Sequence, residues 1–338
     1  MEKFRKLVNK AIGNRSSDLF ILPYQNHYRI LACVQGKKSV VEELSADEGQ
    51  QMIAYFKYRG NMIMSEHRRP QIGALKWQIN RDEAIDVRLS TVGNYRAQES
   101  MVIRFIYPLK DIDYRVNRPE QWEMITKLTR SRGLILFAGP MGSGKTTTMY
   151  RLAKELAREE LVMTIEDPVE IEEAAFLQLQ VNDKAAMGYQ ELLKVGLRHR
   201  PDDFIIGEIR DPQTAKLAIQ AALSGHLVLA TVHATNAYGV VARMQQLGVE
   251  KYYLHHGLTG ICYQRLLPLR EGSAVLFDVL SGKELSTVIE GQGMRGMSNA
   301  WQQRLKKLLL KIQSHGEGKN RSLISQQLVT TILLEHNN

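Results

Sequence analysis

Residues 134–146 read Leu-Ile-Leu-Phe-Ala-Gly-Pro-Met-Gly-Ser-Gly-Lys-Thr, and this stretch decides the fold. Its last eight residues match the pattern G-x-x-x-x-G-K-[ST] at every fixed position. An apolar run leads into the pattern and a helix-compatible run follows it, which is the strand–loop–helix context that a phosphate-binding loop requires. Glycines let the backbone turn its N–H groups toward an anion, and the start of a helix adds partial positive charge. The stretch therefore predicts a site for a nucleoside triphosphate.

Two side chains of this loop carry the predicted chemistry. Lys145 can reach the β- and γ-phosphates, and the hydroxyl of Thr146 can bind Mg²⁺. The neighbouring residues complete the predicted nucleotide-binding set, which comprises Gly139, Pro140, Met141, Gly142, Ser143, Gly144, Lys145, Thr146 and Thr147.

Composition limits the class of protein. The chain has 338 residues and a net charge of +9, but it has no long Lys/Arg block, which favours an ordinary basic soluble protein over a nucleic-acid or lipid binder. Its two cysteines, Cys33 and Cys262, exclude a disulfide framework and a paired-cysteine zinc site, as expected in a reducing cytosol. The N-terminus has no signal-peptide core, and no apolar run is long enough to span a bilayer. A cytoplasmic protein is therefore expected.

Patterning divides the chain into four regions. Residues 1–107 combine an amphipathic helix, a second helix and several short strands, which predicts a small α+β domain. Prolines and mixed charges at 108–119 predict a linker. Residues 120–270 alternate strands and helices, and 271–338 are predicted to be mainly helical, with a basic amphipathic helix after Ser298.

The alternation over 120–270 predicts the fold class, an α/β domain whose parallel sheet is covered by helices on both faces. Besides the strand before the phosphate loop, the pattern predicts strands at 161–165, 176–181, 204–206 and 227–231. Ligands of such sheets bind beyond the carboxyl ends of the strands. Polar residues that follow a strand are therefore candidates for the site.

Glu208 and Arg210 follow the strand at 204–206, just after Gly207. Hydrolysis of a bound triphosphate needs a carboxylate that orients water and cations that stabilise the phosphates. Glu208 is the candidate for the first role and Arg210 for the second. An ordinary salt-bridged pair at the end of a strand is the alternative, and the phosphate loop upstream favours catalysis.

A second acidic cluster, Glu166, Asp167 and Glu170, follows the strand at 161–165. These carboxylates could hold Mg²⁺ through water or orient the attacking water. A solvated acidic turn explains any one of them equally well, so both readings stay open.

Two histidines, His226 and His233, bracket the strand at 227–231. His233 could hydrogen-bond the γ-phosphate, although a structural role is the commoner one for a lone histidine. No cysteine or third histidine accompanies the pair, so metal binding there is not expected.

Together these segments resemble the type II and type IV secretion and pilus assembly ATPases. Four motifs occur in the family's order: Walker A, aspartate box, Walker B and histidine box, at 139–148, 165–170, 207–211 and 225–233. Walker B ends in Gly-Glu in this family, so the resemblance also assigns the catalytic role to Glu208. It implies ATP as the nucleotide and a RecA-like core. The predicted catalytic set is Glu208, Lys145, Arg210, His233 and Glu166, and the set for Mg²⁺ is Thr146, Asp167 and Glu170.

The N-terminal region resembles the second N-terminal domain of the same family, which has a PAS-like fold. The matching segments include 17–21, 68–71 and 86–91, and 99–104 matches as well. In relatives, arginines at the positions of Arg88 and Arg104 reach the nucleotide when the two domains close. Such a cation can raise the rate about 10³-fold or more. A charge on the surface of a sheet is the alternative role.

Three departures from the family pattern are informative. The chain offers one cysteine, Cys262, where many relatives carry a tetracysteine zinc insert, so no zinc is expected. Phe20 replaces a family histidine, and Arg200 stands where relatives usually have Asp. The short form without the insert most resembles the competence ATPases of Gram-positive DNA uptake.

The resemblance implies a cytoplasmic homohexamer at the inner face of the cell membrane, whose ATP hydrolysis powers assembly of a type IV-like competence pseudopilus. The implied partners are a polytopic inner-membrane platform protein and the pilin-assembly machinery, and direct nucleic-acid binding is not expected. A pilus retraction ATPase is the nearest alternative. A nucleic-acid motor of the RecA class and a non-catalytic, nucleotide-dependent scaffold are more distant ones.

Overall fold

The computed structural model describes residues 2–34, 36–112, 114–182, 185–268 and 273–292, together with Trp301 and Gln303. The chain forms two compact units, Met1–Asp111 and Ile112–Asn338. The division between them falls inside the segment 108–119 that patterning predicts as a linker.

The N-terminal unit is built on a six-stranded antiparallel sheet with the strand order β3-β2-β1-β6-β5-β4. Two helices accompany the sheet, and their apolar faces contribute to one hydrophobic core with it. In chain order the elements are α1 (Glu2–Gly13), β1 (Asp18–Tyr24), β2 (His27–Val34), β3 (Lys37–Ser45), α2 (Ala46–Arg59), β4 (Gln71–Gln78), β5 (Ala84–Gly93) and β6 (Glu99–Ile106).

Local sequence explains why these helices form. The first buries Phe4, Leu7, Val8, Ala11 and Ile12, which recur at helical spacing and place one apolar face on the core. The second begins with a capping box, in which the side chain of Ser45 accepts from the amide of Glu48 and the Glu48 carboxylate accepts from the amide of Ser45.

The strand β4 was not predicted, because it lies at an edge of the sheet and only one of its eight residues, Trp77, is buried. Ile72 is 85% exposed, and Gly73 interrupts the strand pattern. Its neighbour β5 buries Ile85, Val87 and Leu89 in alternation, and this apolar two-residue period is recognisable in the sequence.

A buried ion pair lies in the core of the N-terminal unit. The Lys57 ammonium is 2.8 Å from Oε1 of Glu99, and both side chains are almost fully removed from solvent. The same carboxylate accepts from the hydroxyl of Thr91 and lies 3.0 Å from Nδ1 of His67. Lys57 also donates to the carbonyl oxygen of Glu66, so the network ties α2 to the loop before β4.

The second unit is a mixed α/β domain. Its elements, in chain order, are α3 (Pro119–Thr129), β7 (Gly133–Ala138), α4 (Lys145–Leu156), β8 (Val162–Glu166), β9 (Leu177–Gln180), α5 (Tyr189–His199), β10 (Asp203–Ile206), α6 (Pro212–Leu223), β11 (Leu227–Thr231), α7 (Ala237–Gln246), α8 (Lys251–Gly257), β12 (Leu258–Pro268), β13 (Ser273–Ser281) and α9 (Gly282–Ile289).

The seven strands form one sheet in the order β13-β12-β7-β11-β10-β8-β9. All neighbours from β12 to β9 pair in parallel, and β13 alone pairs antiparallel, as far as the structure describes the sheet. The predicted parallel sheet is thus confirmed. Strands β7, β8, β10 and β11 are buried along their whole length, which is why their sequences read as continuous apolar runs.

Two strands in the last third of the chain were not predicted from the sequence. Residues 258–268 form a strand that pairs with β7, and the strand Ser273–Ser281 lies within the 271–338 region predicted to be mainly helical. A short apolar run such as 274–280 fits either a buried strand or a helix, and pairing with β12 decides for the strand here. The predicted basic helix after Ser298 lies outside the described residues, apart from Trp301 and Gln303.

Over the described part of the chain, we find no helix that combines the length and the apolar character needed to cross a membrane.

Candidate nucleotide site

The phosphate loop connects the carboxyl end of β7 to the first turn of α4. Gly139, at its start, has a φ of +144°, and a Cβ built there would lie 2.2 Å from the carbonyl oxygen of Gln264. Only glycine fits such a close approach of two backbones. Gly142, at the tip, has a φ of +74° but open space around it. The loop is therefore tightly held at its base and free at its tip.

Gln264 of β12 supports the loop from the neighbouring strand. Its side chain is fully buried and donates through Nε2 to the carbonyl oxygen of Ser143, at 2.6 Å. Sequence reasoning missed this residue, because it lies 121 positions from its partner and belongs to no motif.

The ammonium of Lys145 lies over the base of the loop. It donates to the carbonyl oxygens of Gly139 at 3.0 Å and Pro140 at 3.2 Å. Burial lowers the pKa of Lys145, while the negative charges of Glu208 and Glu170 oppose this shift. A partly desolvated cation that is held by uncharged carbonyls is well suited to exchange them for phosphate oxygens.

The remaining loop residues differ in exposure and in backbone conformation. Met141 is 93% exposed at the tip beside Gly142, and Ser143 is buried. Gly144 is the residue that caps α4, with a φ of +83°, and Thr147 lies in the first turn of the helix. The N–H groups of this first turn have no partner within the helix, so they can bind an anion.

Glu208 lies just beyond the end of β10, and both of its carboxylate oxygens have cationic or potentially cationic partners. Oε2 is 2.6 Å from Nη2 of Arg210, and Oε1 is 2.8 Å from Nε2 of His233. Burial acts to raise the pKa of Glu208, but the hydrogen bond and charge of Arg210, with the charges of His233 and Lys145, outweigh it and lower the pKa. The carboxylate is therefore held in its ionised, proton-accepting form.

The acidic cluster divides into a buried and an exposed part. Glu166, the last residue of β8, is 3% exposed and accepts a hydrogen bond from the hydroxyl of Tyr150. Burial raises its pKa, and hydrogen bonds from Tyr150 and Thr164 offset part of this shift. Asp167 and Glu170 are exposed to solvent. The structure thus separates Glu166, in the wall of the site, from the two carboxylates that face outward.

Thr146 meets the exposed part of this cluster, since its hydroxyl lies 3.0 Å from Oε2 of Glu170. A hydroxyl and a few carboxylates beside a phosphate cradle suit Mg²⁺, which takes most of its ligands from water and substrate phosphates. No group of three or more His, Cys, Asp or Glu side chains arranged for metal binding occurs among the residues described. The donor set therefore fits a Mg²⁺ ion that arrives with the nucleotide; Thr146 and Glu170 would hold it, and Asp167 is the third predicted ligand.

Two further residues near the site went unpredicted. The hydroxyl of Tyr189, on α5, packs close to the backbone of Gly207 in the loop after β10. A Cβ built on Gly207 would lie 3.2 Å from this hydroxyl. Gln178 of β9 donates to the hydroxyl of Tyr150 at 2.7 Å. Neither residue has a neighbour in sequence that signals a role.

Arg88 and Arg104 lie in the N-terminal unit, directly opposite each other on β5 and β6. Nε of Arg104 is 2.8 Å from Oδ1 of Asp18. The antiparallel pairing thus brings the two predicted arginines side by side.

Sequence comparison supplies a family and several relatives. The sequence model of the family described as "Type II/IV secretion system protein" matches residues 1–304. Competence protein ComGA of Streptococcus pneumoniae is 39% identical over 264 residues, covering 78% of this chain and 83% of the relative. Competence protein ComGA of Halalkalibacterium halodurans is 33% identical over 344 residues, with coverage of 94% and 98%.

Solved structures share the fold at low sequence identity. The pilus retraction motor PilT with bound ADP is 22% identical, with a TM-score of 0.64, and the match covers 94% of this chain and 95% of PilT. The ATPase DotB of Yersinia pseudotuberculosis is 18% identical, with a TM-score of 0.69 and coverage of 98% and 94%. At these identities the likeness concerns the fold alone.

Proposed function

The chain belongs to the type II/IV secretion system protein family, and on that basis we propose that it hydrolyses ATP to power assembly of a competence pilus, a type IV-like pseudopilus for DNA uptake. The observation that carries the proposal is the convergence of three strand ends. Lys145 follows β7, Glu208 follows β10 and His233 follows β11. The charges of Lys145 and His233 both lower the pKa of the Glu208 carboxylate, and His233 also contacts it directly.

In the proposed reaction, the loop amides and Lys145 bind the β- and γ-phosphates of ATP. Bound Mg²⁺ neutralises charge on these phosphates when it is present. The ionised carboxylate of Glu208 accepts a hydrogen bond from the attacking water. This bond orients the water so that a lone pair of the water oxygen faces the γ-phosphate. Arg210 and His233 contact Glu208 in this structure. Their N–H groups can also donate hydrogen bonds to the γ-phosphate oxygens.

The N-terminal unit contributes cations in this proposal. Arg88 and Arg104 would stabilise the phosphates of the nucleotide, as the resemblance to the family implies for arginines at these positions. The pairing of these arginines on adjacent strands supports a shared role, since both would arrive together. We further propose that the N-terminal unit, 1–107, is a PAS-like domain, that 108–119 is the linker and that 120–270 is a RecA-like core.

The proposed assembly is a homohexamer at the cytoplasmic face of the membrane. Its partners would be a polytopic inner-membrane platform protein and the pilin-assembly machinery, with ATP and Mg²⁺ as cofactors. Cycles of ATP hydrolysis in successive subunits of the ring would then act on the platform protein. The support for this step is family membership and the two curated competence relatives, each matched over more than three quarters of its length.

The test combines turnover with phenotype. Wild type and Glu208→Gln are assayed for ATP hydrolysis and for binding of a nonhydrolysable ATP analogue, and each is then expressed in a strain deleted for the gene. Glu208→Gln keeps the shape of the side chain but removes the proton-accepting charge, so hydrolysis should fall by about 10²-fold or more while analogue binding persists. DNA uptake and pilus formation should both be lost.

Each alternative gives a different outcome. Normal hydrolysis by Glu208→Gln would overturn the catalytic assignment, and normal DNA uptake in that strain would point to a nucleotide-dependent scaffold. Long pili that fail to retract would identify a retraction ATPase. Hydrolysis stimulated by DNA, with steep salt dependence of DNA binding, would identify a nucleic-acid motor.

A further inference from the structure

One face of α4 carries three side-chain ties to the acidic segment between β8 and β9. Thr146, Tyr150 and Lys154 are spaced four residues apart, so they lie above one another on the helix. Thr146 contacts Glu170 at 3.0 Å, Tyr150 contacts Glu166, and Lys154 contacts Glu173 at 2.6 Å. We call these three pairs the α4 ladder.

The middle pair of the ladder is buried, whereas the outer two reach solvent. Tyr150 is fully buried and Glu166 nearly so, while the side chain of Lys154 is 47% exposed. A hydrogen bond in a dry, low-dielectric place holds its partners more firmly than an exposed ion pair, which solvent screens. Tyr150 is thus the strongest attachment of this helix face to the acidic segment.

Gln178 extends the middle pair to the other end of the segment. Its Nε2 donates to the hydroxyl of Tyr150 at 2.7 Å and to the carbonyl oxygen of Ile171 at 2.8 Å. Its Oε1 accepts from the amide of Glu173 at 2.9 Å. One side chain of β9 therefore connects the helix to the backbone that directly follows Glu170.

The consequence concerns the place where Mg²⁺ would bind. The hydroxyl of Thr146 is the proposed metal ligand, and Glu170 reaches the ion only if its turn stays beside α4. Thr146 would bind the ion through a lone pair of its hydroxyl oxygen and could still donate its proton to Glu170. The other pairs of the α4 ladder would add to this exposed contact in keeping the turn in place.

We propose that Tyr150 is a positioning residue that holds the acidic turn, and with it Glu170, against the Thr146 end of α4, through its hydrogen bonds to Glu166 and Gln178. On this view Glu166 acts as an anchor in the wall of the site and does not orient the attacking water. The proposal rests on the proposed function, because it takes the phosphate loop to bind ATP with Mg²⁺.

The test is a Mg²⁺ titration of nucleotide binding. The full chain is mixed with a fluorescent, nonhydrolysable ATP analogue, and binding is followed first without metal and then with increasing MgCl₂. Tyr150→Phe should raise the Mg²⁺ concentration at half-saturation by about 10-fold, the scale usual for loss of a partner that orients a metal ligand. Metal-free binding of the analogue should stay at the wild-type value.

Tyr114→Phe is the matched control, because its hydroxyl contacts Thr148 on another face of the same helix, at 2.8 Å. It removes a tyrosine hydroxyl that contacts α4 without touching the ladder, and it should leave the Mg²⁺ titration unchanged. Lys154→Met, which removes the exposed pair, should shift half-saturation by less than about twofold. Gln178→Leu leaves the Tyr150–Glu166 pair in place but removes the bonds from β9 to Tyr150 and to the backbone after Glu170, and it should shift the Mg²⁺ titration in the same direction as Tyr150→Phe.

Several results would overturn the proposal. A wild-type Mg²⁺ titration for both Tyr150→Phe and Gln178→Leu would do so. So would an equal loss of metal-free and metal-dependent binding, since that pattern indicates general damage to the loop. Failure of the wild type to hydrolyse ATP would sink the proposed function alone, because the binding titration involves no turnover.

Discussion

Nε2 of His233 lies 2.8 Å from Oε1 of Glu208, so side chains that follow two adjacent parallel strands, β11 and β10, meet at the carboxyl edge of the sheet. Arg210 occupies the other oxygen of the same carboxylate. With two partners the Glu208 carboxylate has little freedom to rotate, and its orientation is fixed before any water arrives.

His233→Ala should therefore lower kcat for ATP hydrolysis by roughly 10²-fold, because it removes a donor that orients Glu208 and can also serve the γ-phosphate. His233→Gln keeps an N–H donor near the same place and should recover part of that loss. The affinity for a nonhydrolysable ATP analogue should change little in both variants. Steady-state kinetics decide the matter, and equal rates for the two variants would argue against the donor role.

The close approach of Gly139 to Gln264 makes a prediction about two glycines of the same loop. Gly139→Ala would place a methyl group 2.2 Å from a backbone oxygen, so the loop cannot keep its shape and nucleotide binding should be lost. Gly142→Ala meets no atom within 4 Å and costs only the strain of a positive φ, about 1–2 kcal/mol. Thermal unfolding and analogue binding measured side by side would contradict this view if both variants were equally impaired.

Asp203, at the start of β10, should make the stability of the second unit depend on pH. Burial, with the nearby carboxylate of Glu160, raises the pKa of Asp203 to about 8, although Arg132 contacts it at 2.8 Å. The unfolded chain releases this proton near pH 4, so the folded state holds a proton that the unfolded state lacks. The stabilisation from this group is complete below about pH 4 and is lost progressively as the pH rises to about 8.

Asp203→Asn cannot ionise, and it should flatten this decline of the unfolding free energy between pH 5 and 8. Urea unfolding at several pH values measures the slope. A slope identical to that of the wild type would show that Asp203 does not hold the proton.

The buried pair in the N-terminal unit predicts an asymmetric response to mutation. Lys57→Met leaves the carboxylate of Glu99 buried without its main cation, and it should destabilise the unit by about 3–5 kcal/mol. The double change Lys57→Met with Glu99→Leu removes both charges and should restore part of the stability. Lys3→Met, at an exposed pair with Glu48, is the control and should leave unfolding almost unchanged. Additive losses in the double variant would contradict the prediction.

Sequence predicted the site best where chemistry and local structure coincide. The phosphate loop, Glu208 and His233 each follow an apolar strand, and parallel pairing brings strand ends to one edge of a sheet. The contacts that support these residues could not be predicted in this way. Tyr150 reads as an ordinary helix residue, and Gln264 lies in a strand that was not predicted. Their partners, 16 and 121 positions away, belong to other elements of the fold.

The fold shows the same division. Strands buried on both faces, such as β7 and β10, can be predicted from their continuous apolar runs. The edge strand β4 has too few buried side chains to be recognised in the sequence. The β12–β13 pair went unpredicted because a run such as 274–280 carries no period that separates strand from helix, and the pairing of the two strands decides between them.

The hydrogen bond from Gln264 to Ser143 has a consequence for biosynthesis. Gln264 lies 121 positions after Ser143 in the chain. During synthesis, Gln264 must therefore emerge from the ribosome before its hydrogen bond to the phosphate loop can form. Contacts this distant in sequence form late during folding. A nascent chain that has emerged only as far as α8 should therefore lack a fully formed nucleotide loop, and binding of an ATP analogue should appear only after Gln264 has left the ribosome.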